Sequence, residues 1–166
     1  KSLLPEIDLY YKTDTHWNQY GAYVAYRKII ENMQQWGLCN TAPIDVNFVD
    51  AEYTGEFGAM LGIDLGTEST KNSLILNPQA IKNPETEKYS VFRNILEAEG
   101  ISNPCHFYSN PAVTGKKVIM FGDSMFGSWN ATELLAENFS EFTYIWDNGE
   151  LKSSFIEYLK PDIDIF

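Results

Sequence analysis

The segment Lys116-Lys117-Val118-Ile119-Met120-Phe121-Gly122-Asp123-Ser124 restricts the fold more than any other part of the chain. Its apolar residues run without a break, as in strands covered on both faces within a sheet packed between helices. Gly122-Asp123-Ser124 follows as a turn, Ala131 to Phe139 predicts a helix, and Glu141 to Trp146 predicts the next strand. A helix from about Leu151 to Leu159 then leads to a strand beginning near Asp162. Strand, helix, strand, helix, strand implies right-handed crossovers and a parallel sheet flanked by helices. Ligands of such sheets bind beyond the carboxyl ends of the strands, and Ser124 stands at one of those ends.

The amino-terminal part carries the clearest helix. Asn18 is a good N-cap, and Ala22, Ala25, Tyr26, Ile29, Ile30, Met33 and Trp36 recur at steps of three and four from Gln19 onward. Gly37 is suited to end it. Leu9 to Trp17 is a short extended run entering a loop. Residues 40–115 are less regular: glycines punctuate Tyr53 to Gly62, which predicts a short helix or packed turn. Ser73-Leu74-Ile75-Leu76 and Tyr89-Ser90-Val91-Phe92 are short strand candidates, separated by Asn-Pro turns. The 166 residues suit one compact domain, 1–166, and the final Lys160-Pro161-Asp162 leading into a barely begun strand reads as an excerpt of a longer chain. Cys39 and Cys105 permit one disulfide or two unpaired thiols, and spacing leaves both open.

Gly122 allows a tight turn directly off a buried strand, which leaves Ser124 near a helix N-terminus where free backbone N–H groups can stabilise an oxyanion. Taken alone, Asp123 or Ser124 could equally be a helix cap. Asp14-Thr15-His16 is the complementary feature. A serine hydroxyl is a poor nucleophile until a base takes its proton, and histidine is the side chain suited to that task near neutral pH. The base needs a carboxylate to fix its tautomer, and in an extended segment the side chains of Asp14 and His16 project to one side. Trp129 and Asn130, just after the serine turn, are placed to face a cleft. Tyr10, Tyr11 and Trp17 flank the base and suit either the core or a sugar ring. His106 lies in a polar stretch bounded by Asn-Pro turns, which predicts a solvated loop residue.

Tyr11-Lys12-Thr13-Asp14-Thr15-His16-Trp17-Asn18-Gln19-Tyr20-Gly21-Ala22 resembles the Asp-x-His-Trp…Gly-Ala signature of the alginate O-acetyltransferase-like branch of SGNH hydrolases. Val118 to Phe126, with Gly122-Asp123-Ser124 inside it, is similar to the Gly-Asp-Ser block of the same branch. Ordinary SGNH esterases run Ser first and Asp-x-x-His last. Here Asp14-x-His16 precedes Ser124, the permuted order of the acetyltransferase branch. The resemblance implies a three-layer α/β/α, flavodoxin-like fold with a mainly parallel sheet. It also implies a Ser124 nucleophile, a His16 general base and Asp14 as its orienter, with no metal or organic cofactor. SGNH enzymes complete the oxyanion hole with a Gly and an Asn at the ends of the next two strands. Gly149, with Asn148 beside it, suits the first position, and the second is expected after Phe166.

The function so implied is transfer of an acetyl group, through a serine ester, onto hydroxyls of a bacterial cell-surface or secreted polysaccharide. The implied partners are the polysaccharide acceptor, an acetyl donor and a membrane-bound acyltransferase that supplies acetyl groups. An extracytoplasmic location goes with them, with any signal or anchor outside this sequence. Two rivals stay open: a carbohydrate acetylesterase with the same triad, and a non-catalytic glycan-binding domain of the same fold. Charge narrows the field independently. With 12 Lys and Arg against 23 Asp and Glu, the net charge of −11 lacks the positive field that nucleic-acid backbones need.

Overall fold

In chain order the elements are α1 (Gln19–Gln35), β1 (Val46–Tyr53), α2 (Phe57–Leu61), β2 (Glu68–Ile75), β3 (Ile81–Lys82), α3 (Glu87–Ala98), β4 (Cys105–Ser109), β5 (Lys117–Gly122), α4 (Ser124–Gly127), α5 (Ala131–Ala136), β6 (Glu141–Trp146), α6 (Ser153–Leu159) and β7 (Ile163–Ile165). They come from a computed structural model that describes residues 8–83, 87–147 and 150–166.

The uninterrupted apolar run becomes β5, at the heart of a five-stranded sheet of order β3-β4-β6-β5-β7. β5 is parallel to β6 and to β7, as the strand–helix alternation predicts. β4 runs antiparallel to β6, and β3 antiparallel to β4. The sheet is therefore mixed: the expectation of a mainly parallel sheet holds only for the three strands joined by helical crossovers. Alternate residues of β5 serve opposite faces. Val118 and Met120 join Tyr26, Ile30 and Met33 of α1 and Leu134 of α5 in one core. Ile119 and Phe121 join Phe92 of α3 and Phe155 of α6 in the other. Helices on both faces of one sheet make the expected three-layer α/β/α arrangement.

α1 is built as its sequence predicts. Asn18 accepts a hydrogen bond from the Gly21 N–H, and Gly37 at φ +70° ends the helix. Leu38 N–H donates to Met33 O and Gly37 N–H to Gln34 O, the paired bonds of a Schellman motif. Trp36, counted with the apolar stripe, sits at the C-cap and stays 68% exposed.

Three expectations change. Tyr89–Phe92 is not a strand but part of α3, because Phe92 continues as Ile95 and Leu96, a helical repeat that packs against the second core. Ser73–Leu76 marks only the end of β2, which starts at Glu68 and pairs antiparallel with β1. That two-stranded hairpin, with α2 in its connection, accounts for much of the segment that has no clear sequence period. His106 is not a solvated loop residue: it lies in β4 opposite Tyr144, half-buried, with Nδ1 3.1 Å from Thr132 Oγ1. Burial, followed by the charge of Lys82, holds its pKa below the usual histidine range. As for the thiols, Cys39 packs in the first core and Cys105 against the second, on opposite faces of the sheet, and no disulfide joins them.

Candidate active site

The turn after β5 is fixed from three sides. A Cβ on Gly122 would lie 2.8 Å from Tyr144 Cε2, so only glycine lets the Tyr144 ring lie against the turn. The Tyr144 hydroxyl donates to Asp123 O. Asp123 caps α4, its Oδ1 accepting the Met125 N–H at 2.9 Å. Asp123 thus takes the capping role, and Ser124, the first residue of the helix, is left with a free hydroxyl. As the first helical residue, its N–H has no acceptor within the helix. Ser124 Oγ lies 2.8 Å from His16 Nε2, across 108 positions of sequence, and His16 Nδ1 lies 2.6 Å from Asp14 Oδ1.

Asp14 and His16 meet through a bend rather than an extended run. The Asp14 side chain accepts the backbone N–H of His16 at 3.0 Å with the same Oδ1 that faces the imidazole, an Asx turn. The other oxygen, Oδ2, accepts from the Tyr53 hydroxyl and, at 3.3 Å, from the Glu56 N–H. Asp14 is 7% exposed. Burial by itself would raise its pKa. The hydrogen bonds from Tyr53, from the His16 ring and from the N–H groups of His16 and Glu56 outweigh that and hold it at about 2. Burial pushes the Tyr53 phenol well above the usual tyrosine range, and its bond to the Asp14 anion adds to the shift. The phenol therefore remains a donor.

The loop carrying Asp14 is anchored to the β1–β2 hairpin. Glu68 accepts the N–H groups of Lys12 and Thr13 at 3.0 Å and the Thr13 hydroxyl at 2.6 Å. Thr13 O accepts the Phe57 N–H at 3.0 Å. A Cβ on Gly55 would lie 2.0 Å from Thr13 O, so glycine is required where the hairpin connection crosses the loop. Thr15 Oγ1 lies 3.2 Å from His16 Nδ1 and donates to Glu56 Oε1 at 2.8 Å. Sequence reasoning missed Tyr53, Gly55, Glu56 and Glu68. The one local signal was Gly55 between polar residues, and nothing in the spacing ties it to Asp14. Asp14, His16 and Glu56 bring ligand-type atoms within 4.8 Å of one another, a metal-like cluster among the described residues. Their closeness is already explained by the hydrogen bonds around Asp14 and Thr15.

The other expected site residues divide. Trp129 lies beside His16, its ring 5.9 Å from the His16 ring, 4.9 Å from Tyr11 and 5.1 Å from Tyr53. Trp129 and Asn130 both occupy the left-handed region, at φ +64° and +67°, a conformation that costs about 1 kcal/mol or more per non-glycine residue. Asn130 Nδ2 donates to Ser73 O at 3.0 Å and holds the turn onto β2. Tyr11 is buried against Tyr53, with ring centroids 3.9 Å apart. Trp17 packs edge-on against Phe126 behind the serine turn, and Tyr10 is exposed. Asn148 and Gly149 lie outside the described residues.

A serine at the end of a parallel strand, faced by histidine and aspartate from an earlier loop, within α/β/α layers, defines an SGNH hydrolase-like domain. Comparison with family models agrees: residues 2–102, which include Asp14 and His16 and stop short of Ser124, match the model described as "SGNH hydrolase-like domain, acetyltransferase AlgX". The chain belongs to that family. Among solved structures it is similar to a DHHW family protein from Eubacterium siraeum, with 15% identity and TM-score 0.62 over 96% of this chain and 58% of that one. It is similar to Bacillus cereus PatB1, also solved with a sulfonyl adduct, with 16% identity and TM-score 0.62 over 96% of this chain and 61% of that one. It is also similar to Pseudomonas aeruginosa AlgX, with 15% identity and TM-score 0.51 over 98% of this chain and 36% of that one. At these identities the likeness is one of fold. The chain spans about three fifths of the length of the first two structures. Comparison with curated protein sequences gave no match.

Proposed function

We propose that residues 1–166 form a single catalytic domain that moves an acetyl group through a Ser124 ester onto hydroxyls of a bacterial polysaccharide. The observation that carries this reading is the unbroken relay from Ser124 Oγ to His16 Nε2 at 2.8 Å and from His16 Nδ1 to Asp14 Oδ1 at 2.6 Å. His16 Nε2 takes the Ser124 proton as Oγ attacks the carbonyl carbon of an acetyl donor. The developing oxyanion is met by the Ser124 N–H, which the helix start leaves without an internal acceptor. Asp14, anionic throughout, stabilises the imidazolium formed at that moment. His16 returns its proton to the departing donor group as the tetrahedral intermediate collapses to the serine ester. A sugar hydroxyl then attacks that ester and gives its proton to His16, and collapse restores the Ser124 hydroxyl.

Trp129, half-buried beside His16, contacts the saccharide acceptor in this reading. In this reading the domain works outside the cytoplasm, where such polysaccharides lie, and a membrane-bound acyltransferase supplies the acetyl donor. No helix among the described residues is long and apolar enough to cross a membrane. Incubation with p-nitrophenyl acetate and an oligosaccharide tests the proposal. Acetylated sugar, lost in Ser124→Ala, is the expected product. Acetate release without acetylated sugar makes the domain an esterase. Neither product, together with oligosaccharide binding, makes it a non-catalytic binding module.

A further inference from the structure

In the register of the β1–β2 hairpin, Tyr53 faces Glu68 directly as the pair next to the connection. Residues directly opposite in an antiparallel pair send their side chains to one face. Both of these side chains end on the loop that carries Asp14 and His16. Glu68 accepts hydrogen bonds from the N–H groups of Lys12 and Thr13 and from the Thr13 hydroxyl, and the Tyr53 hydroxyl donates one to Asp14 Oδ2. We propose that Tyr53 is a positioning residue of the Ser124–His16–Asp14 relay, with Glu68 as the anchor that fixes the loop under it. The proposal rests on the reading of Asp14 and His16 as the orienter and base of the site.

The two oxygens of Asp14 have separate duties. Oδ1 receives both N–H groups of His16, the backbone at 3.0 Å and the ring at 2.6 Å. Oδ2 belongs to a side chain only 3% exposed and needs donors of its own, or the buried charge is left half-satisfied. The Glu56 N–H reaches it only at 3.3 Å, so the phenol is the close donor. With Oδ2 bound, the carboxylate cannot turn about its Cβ–Cγ bond and offer His16 the other oxygen at a different angle. The same bond disfavours protonation of Asp14, which would remove the charge that the imidazolium needs. Tyr53 is itself aimed by ring contacts with Tyr11 at 3.9 Å and Trp129 at 5.1 Å. The hairpin, which lies outside the five-stranded sheet, thereby reaches Asp14 through the Tyr53 hydroxyl and, more distantly, the Glu56 N–H of its connection.

Tyr53→Phe isolates that hydroxyl, because it keeps the ring and its packing. The test follows the isotope-labelled Asp14 carboxyl carbon and the His16 Nδ1 proton by NMR in wild type and Tyr53→Phe. In the variant, Asp14 is expected to titrate at higher pH and the Nδ1 proton to shift and exchange faster. Loading of Ser124 from p-nitrophenyl acetate is expected to slow about tenfold, the size of one hydrogen bond to a charged group. Adding Tyr53→Phe to Asp14→Asn should slow loading no further, since Tyr53 acts through Asp14. An Asp14 titration and an Nδ1 proton that Tyr53→Phe leaves unchanged overturn the proposal, as does additive slowing in the double variant. Resonances that shift in Tyr53→Phe, beside a wild-type protein that loads no acetyl, overturn the acetyl-transfer reading while the positioning role of Tyr53 stands.

Discussion

Asp14 is the residue whose chemistry can be followed without any substrate. Its folded pKa of about 2 lies below the ordinary 3.8, so the folded state holds fewer protons there than the unfolded chain. The stabilisation is fully present above about pH 4 and is lost as pH falls through 2, and it amounts to about 2 kcal/mol. Urea denaturation across that window should show the fall, and Asp14→Asn should flatten it. Asn would also aim an amide N–H₂ or a neutral oxygen at the Tyr53 hydroxyl and the Glu56 N–H, so the variant is less stable at pH 7 as well. Trp129 separates the two halves of the reaction. Trp129→Ala removes the ring beside His16 and one of the two ring contacts that aim Tyr53, while the Tyr11 contact and the relay's hydrogen bonds remain. Loading of Ser124 should change less than threefold, while transfer to an oligosaccharide falls roughly tenfold or more through a raised acceptor KM. Equal losses in both steps would assign Trp129 to the relay rather than to the acceptor.

Elements were legible in the sequence in proportion to how fully they are buried. β5 and β6 are buried along their middles, the apolar run of β5 is continuous and that of β6 is broken only by Thr143, and the serine turn follows directly from the first. α1 declares itself by its stripe, its Asn18 cap and Gly37. The β1–β2 hairpin has no such signature: its residues alternate between half-buried and exposed, and its two strands are separated by α2 and two loops. α3 was hidden because Tyr89–Phe92 alone is too short to tell a strand from the start of a helical repeat. The Asp14-x-His16 triplet could be read as a dyad, but its support from the hairpin could not, since the partners are 39 and more positions away. Two variants test the elements separately. Asn18→Ala removes the α1 cap and should cost about 1 kcal/mol by thermal or urea unfolding, with the relay intact. Gly55→Ala places a Cβ on Thr13 O and should cut Ser124 loading more than tenfold, because it displaces the loop under Asp14. A Gly55→Ala protein with wild-type loading would show that the hairpin does not set the loop.

At the scale of the whole molecule, three separate stretches of chain converge on one point. The amino-terminal loop supplies Asp14 and His16, the hairpin holds that loop, and the end of β5 supplies Ser124. The charge of −11 lacks the positive field that a nucleic-acid backbone needs. What makes the chain an acyl-transfer candidate is that the loop, pinned at Glu68, Gly55 and Tyr53, meets a serine that its own turn has left unbonded. Intact-mass measurement after incubation with p-nitrophenyl acetate tests this most directly, with peptide mapping to locate the group. The account predicts one added acetyl mass on Ser124, absent in Ser124→Ala and much reduced in His16→Ala. Wild-type protein that gains no more acetyl than Ser124→Ala would contradict it.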